Sequence, residues 1–130
     1  MIVVDASVVA TAVSVRGEDG DRVRDRLIAE NDLHAPHLVD LEVASVLRRR
    51  ARQGDIGGSE ADQALQELSR LPLTRYPHFP LLPRIWELRS NLSSYDAAYV
   101  ALAEALGCTF VTGDRRIAQA PGLRCHLETM

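Results

Sequence analysis

Lysine is missing from this 130-residue sequence, so each of its 15 basic side chains is an arginine. That absence excludes chemistry that needs an amine: the phosphate-binding lysine of a P-loop, a Schiff base, and the lysine that phosphoaspartyl enzymes use beside their nucleophile. Arginine instead offers planar, always-charged forks suited to phosphate. Cysteine is scarce. Cys108 and Cys125 are too few for a disulfide framework or a four-thiolate zinc site, and both are expected to be small buried residues. His34, His37, His78 and His126 lack the i, i+4 spacing that brings two imidazoles to one metal, and none is expected to be a ligand. No apolar stretch approaches the length of a membrane span. The apolar opening segment has no basic start and carries Asp5 inside it, so it is not read as a secretion signal. A cytoplasmic protein without a membrane partner is the expectation.

What is present is ordinary globular composition, 46% hydrophobic and 25% charged, which excludes disorder and collagen. At this length folding buries roughly two-thirds of the extended chain's surface, enough for one domain over residues 1–130. With 15 basic against 18 acidic residues the net charge is −3. Coating nucleic acid by bulk charge is therefore disfavoured, although a local arginine patch permits specific contact.

Two short, continuous apolar runs, Ile2 to Val4 and Cys108 to Thr112, read as strands buried on both faces. Helical patterns cover Asp21 to Ala29, Pro36 to Gln53, Ser59 to Leu71, Leu81 to Ser90 and Ser94 to Leu106. Weaker strands fit at Leu33 to Ala35, Leu73 to Tyr76 and Leu123 to Leu127. Helices alternating with short strands predict a parallel α/β sheet in three layers, because parallel pairs need crossover connections. Ser59 with Asp62 has a capping-box pattern, and Ser93 or Ser94 can cap the helix that Gly107 ends.

Asp5 and Asp114 each follow a strand at its carboxyl end, the edge where open parallel sheets place ligand crevices. Aspartate is also common after strands, so it is the shared placement that marks a candidate site. Glu42 has Leu38, Val39 and Val46 as helical neighbours; its carboxylate projects from a largely apolar face and needs a partner, an arginine or a site. Asp40, about 200° around the same helix, reads as a solvated or first-turn acid. Asp96 opens a helix whose Ala97, Ala98, Val100, Ala101, Leu102 and Ala103 form a small-residue stripe. It either complements the helix dipole or points toward the strand ends.

Four segments in this order carry a resemblance: Val3-Val4-Asp5-Ala6-Ser7, Glu42 within Leu41 to Leu47, Ser94-Tyr95-Asp96-Ala97-Ala98-Tyr99 running on to Ala103, and Phe110-Val111-Thr112-Gly113-Asp114. Together they resemble a PIN-domain ribonuclease of the VapC toxin type over essentially the whole chain. The resemblance implies a five-stranded parallel sheet flanked by helices in an α/β/α arrangement, and Mg²⁺- or Mn²⁺-dependent RNA cleavage leaving 5′-phosphate and 3′-hydroxyl ends. It places the catalytic and metal-binding acids at Asp5, Glu42, Asp96 and Asp114, and supporting hydroxyls at Ser7 and Thr112, which otherwise read as turn caps. Electrostatics independently favours a cation: two carboxylates about 5 Å apart repel by about 3 kcal/mol at an effective dielectric near 20, so clustered acids spread or bind protons unless one is present. An all-oxygen ligand set suits a hard ion.

A cleft of four acids repels a phosphate backbone, so RNA needs cations at its margin. Arg115 and Arg116 follow Asp114, and Arg89 and Asn91 precede Asp96. Arg48, Arg49, Arg50 and Arg52 form a further cluster that also reads as a solvated helix end. The resemblance further implies a homodimeric toxin neutralised by a small cognate VapB-type antitoxin. Val43, Val46, Leu47, Leu65 and Leu68 either supply an apolar groove for it or fill the core. Three rival readings are a phosphoaspartyl phosphatase, a non-catalytic RNA- or protein-binding module, and an RNA-processing nuclease of the same fold that is not a toxin. The first fails because Ser7 stands where its second aspartate belongs and the chain has no lysine.

Overall fold

A computed structural model describes residues 1–130. Ile2–Val4 (β1) sits at the centre of the sheet. Successive strand residues point to opposite faces, yet all three are buried, so the sheet is covered on both sides. The other strands are Leu33–Pro36 (β2), Leu73–Tyr76 (β3), Thr109–Thr112 (β4) and Leu127–Thr129 (β5). All pairings are parallel, in the order β3-β2-β1-β4-β5. The chain builds outward from β1 through β2 to β3, then returns to the opposite flank of β1 for β4 and β5. The gap between β1 and β4 is therefore the topological switch point, where open parallel sheets bind ligands.

The helices are Ala6–Ser14 (α1), Glu18–Glu30 (α2), Leu38–Arg52 (α3), Gly58–Arg70 (α4), Leu82–Glu87 (α5), Ser94–Leu106 (α6) and Arg115–Ala118 (α7), with a 3₁₀ turn at Phe79–Leu81. Helix α1 packs on α2, α3 and α4, while α6 lies across β1, β2 and β4 and carries α5. A cluster of 31 buried hydrophobic residues joins these layers, confirming the expected five-stranded α/β arrangement. No helix is long and apolar enough to cross a membrane.

Several sequence expectations shift for physical reasons. The sequence pattern does not predict helix α1, because Ala6 to Ser14 is apolar on most sides and lacks a clear amphipathic period. Asp5 starts it by accepting the Val8 N–H at 3.0 Å. Ser59 does not cap α4; the helix begins at Gly58, and Gly57 N–H donates to Glu60 Oε1 at 3.4 Å. Ser93 caps α6, and Gly107 ends it in the left-handed conformation at φ 64°. The helix expected over Leu81 to Ser90 shrinks to the 3₁₀ turn and α5. Strand β5 lies at Leu127–Thr129 rather than Leu123 to Leu127, because its register is set by pairing with β4, Phe110 opposite Leu127. Cys108 and Cys125 are half-buried free thiols. Asp40 is not simply solvated: Arg75 on β3 grips it in a bidentate pair at 2.7 and 2.8 Å, tying α3 to the sheet edge.

Candidate active site

All four acids singled out from sequence line one cleft of about 610 Å³. Each arrives on a different element: Asp5 after β1, Glu42 on α3, Asp96 in the first turn of α6, and Asp114 after β4. The register that sets Val4 opposite Val111 brings the ends of β1 and β4 together at the switch point.

Two hydroxyls lace those ends. Ser7 Oγ donates to Asp5 Oδ1 at 2.5 Å and accepts the Gly113 N–H at 2.9 Å. Thr112 Oγ1 donates to Asp5 Oδ2 and accepts the Asp114 N–H at 3.0 Å. Asp5 therefore has both oxygens engaged, and Thr112 is fully buried beneath it. The lacing also explains Gly113: a Cβ there would lie 2.8 Å from Ser7 Oγ, too close for any side chain without displacing the serine. Burial pushes the Asp5 carboxyl above its ordinary value, against the opposing pull of its hydrogen bonds from Ser7, Thr112 and the Val8 backbone.

Glu42 does not pair with arginine. Its Oε1 accepts from Tyr99 Oη at 2.7 Å, and Tyr99 is buried and stacked on Phe110 with ring centroids 5.9 Å apart. Tyr99 thus fixes the α3 acid from α6, a role the sequence reading did not assign. The signal was available: Tyr99 is three residues after Asp96, and i, i+3 residues share a helix face. The same logic applies on α3, where Ser45 and Arg49, three and seven residues after Glu42, also line the cleft. Burial raises the carboxyls of Glu42 and Asp96. Charge repulsion adds to this, from Asp96 and Asp5 on Glu42, and from Asp114 and Asp5 on Asp96.

Asp114 behaves oppositely. Hydrogen bonds from Arg116 hold its carboxyl below the usual value. Arg116, expected as an RNA contact, pairs with an acid of the cleft. Arg115 is exposed beside it. Arg89 does not line the cleft; its Nη1 donates to the Trp86 carbonyl at 2.8 Å and its guanidinium lies 4.7 Å from the Trp86 ring centroid. Asn91 likewise turns away, donating to the Pro121 carbonyl at 3.2 Å.

The convergence is looser than a closed ligand shell: no three of these carboxylates stand close enough together to hold one ion. Asp5, Glu42 and Asp96 have no cationic partner, their charges disfavour one another's ionisation, and Arg116 pairs with Asp114. The donor set nonetheless fits a hard divalent cation. It is all oxygen, and three of its four acids are uncompensated charges in partly desolvated positions, which a dication would offset.

The groove expected from Val43, Val46, Leu47, Leu65 and Leu68 is mostly core, since Val43, Leu47 and Leu68 are buried. A separate groove of about 440 Å³ opens between α1, α2 and α4, lined by Val13, Val15, Leu27, Ile28, Ala64 and Leu71 among others. On the opposite helical group, Phe79, Leu82 and Trp86 are exposed.

Residues 2–123 match the PIN domain family. Ribonuclease VapC9 of Mycobacterium tuberculosis is 50% identical over 130 residues, covering 100% of this chain and 98% of the relative. Among solved structures, VapC20 of the same organism, described as a Sarcin-Ricin loop cleaving toxin, superposes with a TM-score of 0.68 at 21% identity, covering 95% of this chain and 97% of that one. VapBC2 of Rickettsia felis, bound to a DNA fragment from its promoter, gives 0.70 at 18% identity, covering 100% and 99%.

Proposed function

The chain belongs to the PIN-domain family, among the VapC ribonucleases, and on that premise we propose that it is an endoribonuclease using a divalent cation held by Asp5, Glu42, Asp96 and Asp114. It acts as the toxin of a toxin–antitoxin pair. The observation that carries the reading is the delivery of four acids from four separate elements to one cleft at the switch point of the sheet.

Asp5, Asp96 and Asp114 are assigned as ligands of Mg²⁺ or Mn²⁺, with Glu42 alongside. When bound, the ion supplies an activated water at neutral pH and offsets charge on the phosphodiester. The chain's own contributions are positional. Ser7 and Thr112 hold both Asp5 oxygens, so this carboxylate cannot rotate away from the cleft. Tyr99 engages Glu42 Oε1 and leaves Oε2 without a protein partner, and that oxygen is assigned to orienting the attacking water and accepting its proton. Arg49, which lines the cleft, and exposed Arg115, next to Asp114 in sequence, are assigned to contact with RNA phosphates. Arg89 is not, being held on Trp86.

The antitoxin's apolar segment is assigned to the groove between α1, α2 and α4, whose lining includes the exposed Ile28. A second copy of the chain is assigned to the face bearing Phe79, Leu82 and Trp86, which monomers rarely leave uncovered.

The test is hydrolysis of an RNA panel with Mg²⁺, Mn²⁺ or chelator, for the wild type and for Asp5→Asn and Asp96→Asn. Cleavage that needs the ion and both acids, while folding and oligomeric state persist, supports the enzyme. RNA binding without cleavage would leave only a binding module. Induced expression then separates toxin from processing nuclease: growth arrest relieved by a neighbouring reading frame is expected, and unimpaired growth would contradict the toxin role.

A further inference from the structure

Arg116 is the one basic side chain that hydrogen-bonds to a carboxylate of the cleft. Its Nε reaches Asp114 Oδ1 at 3.0 Å and its Nη2 reaches Oδ2 at 2.8 Å. Oδ1 also accepts the Arg116 backbone N–H at 2.9 Å. Three donors on one carboxylate occupy much of the lone-pair capacity that a metal ion would use. The guanidinium nevertheless has little to keep it there. Its side chain is 91% exposed, against 27% for Asp114, and it has no second acceptor. Exposed pairs of this kind hold with small net strength, because water solvates both partners nearly as well.

The position matters as much as the weakness. Arg116 lies two residues beyond Asp114, in the short helix α7 that Asp114 itself caps, so the charge cannot diffuse away from the cleft. Its field reaches Asp96 as well. The remaining acids have no ion pair at all. A monovalent, diffuse cation on a short tether therefore stands at one acid of the cleft and at no other.

We propose that Arg116 is an exchangeable counter-ion of the cleft: its guanidinium holds Asp114 until a divalent cation takes that carboxylate, and the two occupy it alternately. This rests on the reading of Asp114 as a ligand. A compact dication with an oxygen preference outcompetes one delocalised charge for a carboxylate, and the only structural cost is rotation of an exposed side chain. Arg116 consequently lowers the cleft's affinity for the ion. The contrary role, a brace that holds Asp114 in ligand geometry, would raise it.

Mn²⁺ binding to the full chain without RNA, followed by loss of the free-ion electron paramagnetic resonance signal, decides between them. Arg116→Ala and the length-preserving Arg116→Gln are each expected to bind Mn²⁺ about three- to tenfold more tightly than the wild type. Arg115→Ala removes the same charge one residue away without touching Asp114, and its change is expected to stay below about twofold. In an Asp114→Asn background, itself weaker, the gain from Arg116→Ala should likewise fall below about twofold. If Asp114→Asn weakens binding but both Arg116 variants leave it unchanged or weaker, exchange is refuted while Asp114 remains a ligand. If Asp114→Asn has no effect, the assignment of Asp114 fails and the exchange fails with it.

Discussion

Thr112→Val removes one hydroxyl and almost no volume, and the structure gives that hydroxyl two duties. It donates to Asp5 Oδ2 and accepts the Asp114 N–H. Thr112 is fully buried and Asp5 is 7% exposed, so water does not replace the bond to Asp5. A hydrogen bond to a charged group contributes about 1.5–3 kcal/mol, and a stranded backbone N–H costs about 1–3 kcal/mol. Because Asp114 lies nearer solvent, the lower end applies to its N–H, and a loss of about 3 kcal/mol at neutral pH is expected. The loss should depend on pH. Burial has already raised the folded-state carboxyl of Asp5 above its unfolded value, so the folded protein binds more protons and ionisation costs stability as pH rises. Without Thr112 the folded-state value rises further. The gap between variant and wild type therefore widens as pH climbs from the ordinary aspartate range through the raised values, and narrows to about 1 kcal/mol in acid, where Asp5 is protonated in both. Urea unfolding at a series of pH values measures this directly. A penalty under about 1 kcal/mol at neutral pH, or one independent of pH, would refute the lacing argument.

Asp96→Asn should raise the melting temperature at neutral pH while abolishing RNA cleavage, because an acid whose ionisation is opposed by burial and by Asp114 and Asp5 is replaced by a neutral isostere; an unchanged or lower melting temperature in calorimetry contradicts this. Gly113→Ala forces a Cβ to within 2.8 Å of Ser7 Oγ, and should cost about 1–3 kcal/mol in chemical denaturation. Cleavage should fall with it, whereas wild-type stability and rate would show that the serine moves freely. Trp86→Glu places a charge on the exposed apolar face and should shift the molar mass seen by light scattering from dimer to monomer, the opposite outcome being an unaltered mass. Ile28→Arg should weaken antitoxin binding in calorimetric titration by at least about tenfold, corresponding to about 1.4 kcal/mol, without altering cleavage by the free protein; full affinity would move the docking segment elsewhere.

Much of the site was legible because its acids obey local rules. Asp5 and Asp114 follow strands whose apolar runs are unmistakable, and Asp96 sits where Ser93 starts a helix. Glu42 stood out as a charge on an apolar face, but the partner it needed proved to be Tyr99, fifty-seven residues away, which no local rule supplies. Helix α1 escaped notice because burial on most sides erases the amphipathic period that betrays a surface helix. β5 escaped in part because a parallel strand takes its register from a neighbour distant in sequence. Arg116 stands near enough to Asp114 in sequence to suggest RNA at the margin; its pairing with that acid is set by the side-chain conformation, which no sequence rule supplies.

The proposed activity requires that these carboxylates, though spread apart, form one seat for a divalent cation. Crystals grown with Mn²⁺ and recorded near its absorption edge test it most directly. An anomalous peak in the cleft, with Asp96 and Asp114 drawn in from their spread positions to share the ion with Asp5 and with Arg116 swung away, is the predicted result. A cleft without such a peak at saturating Mn²⁺, or an ion bound only elsewhere on the surface, would contradict it.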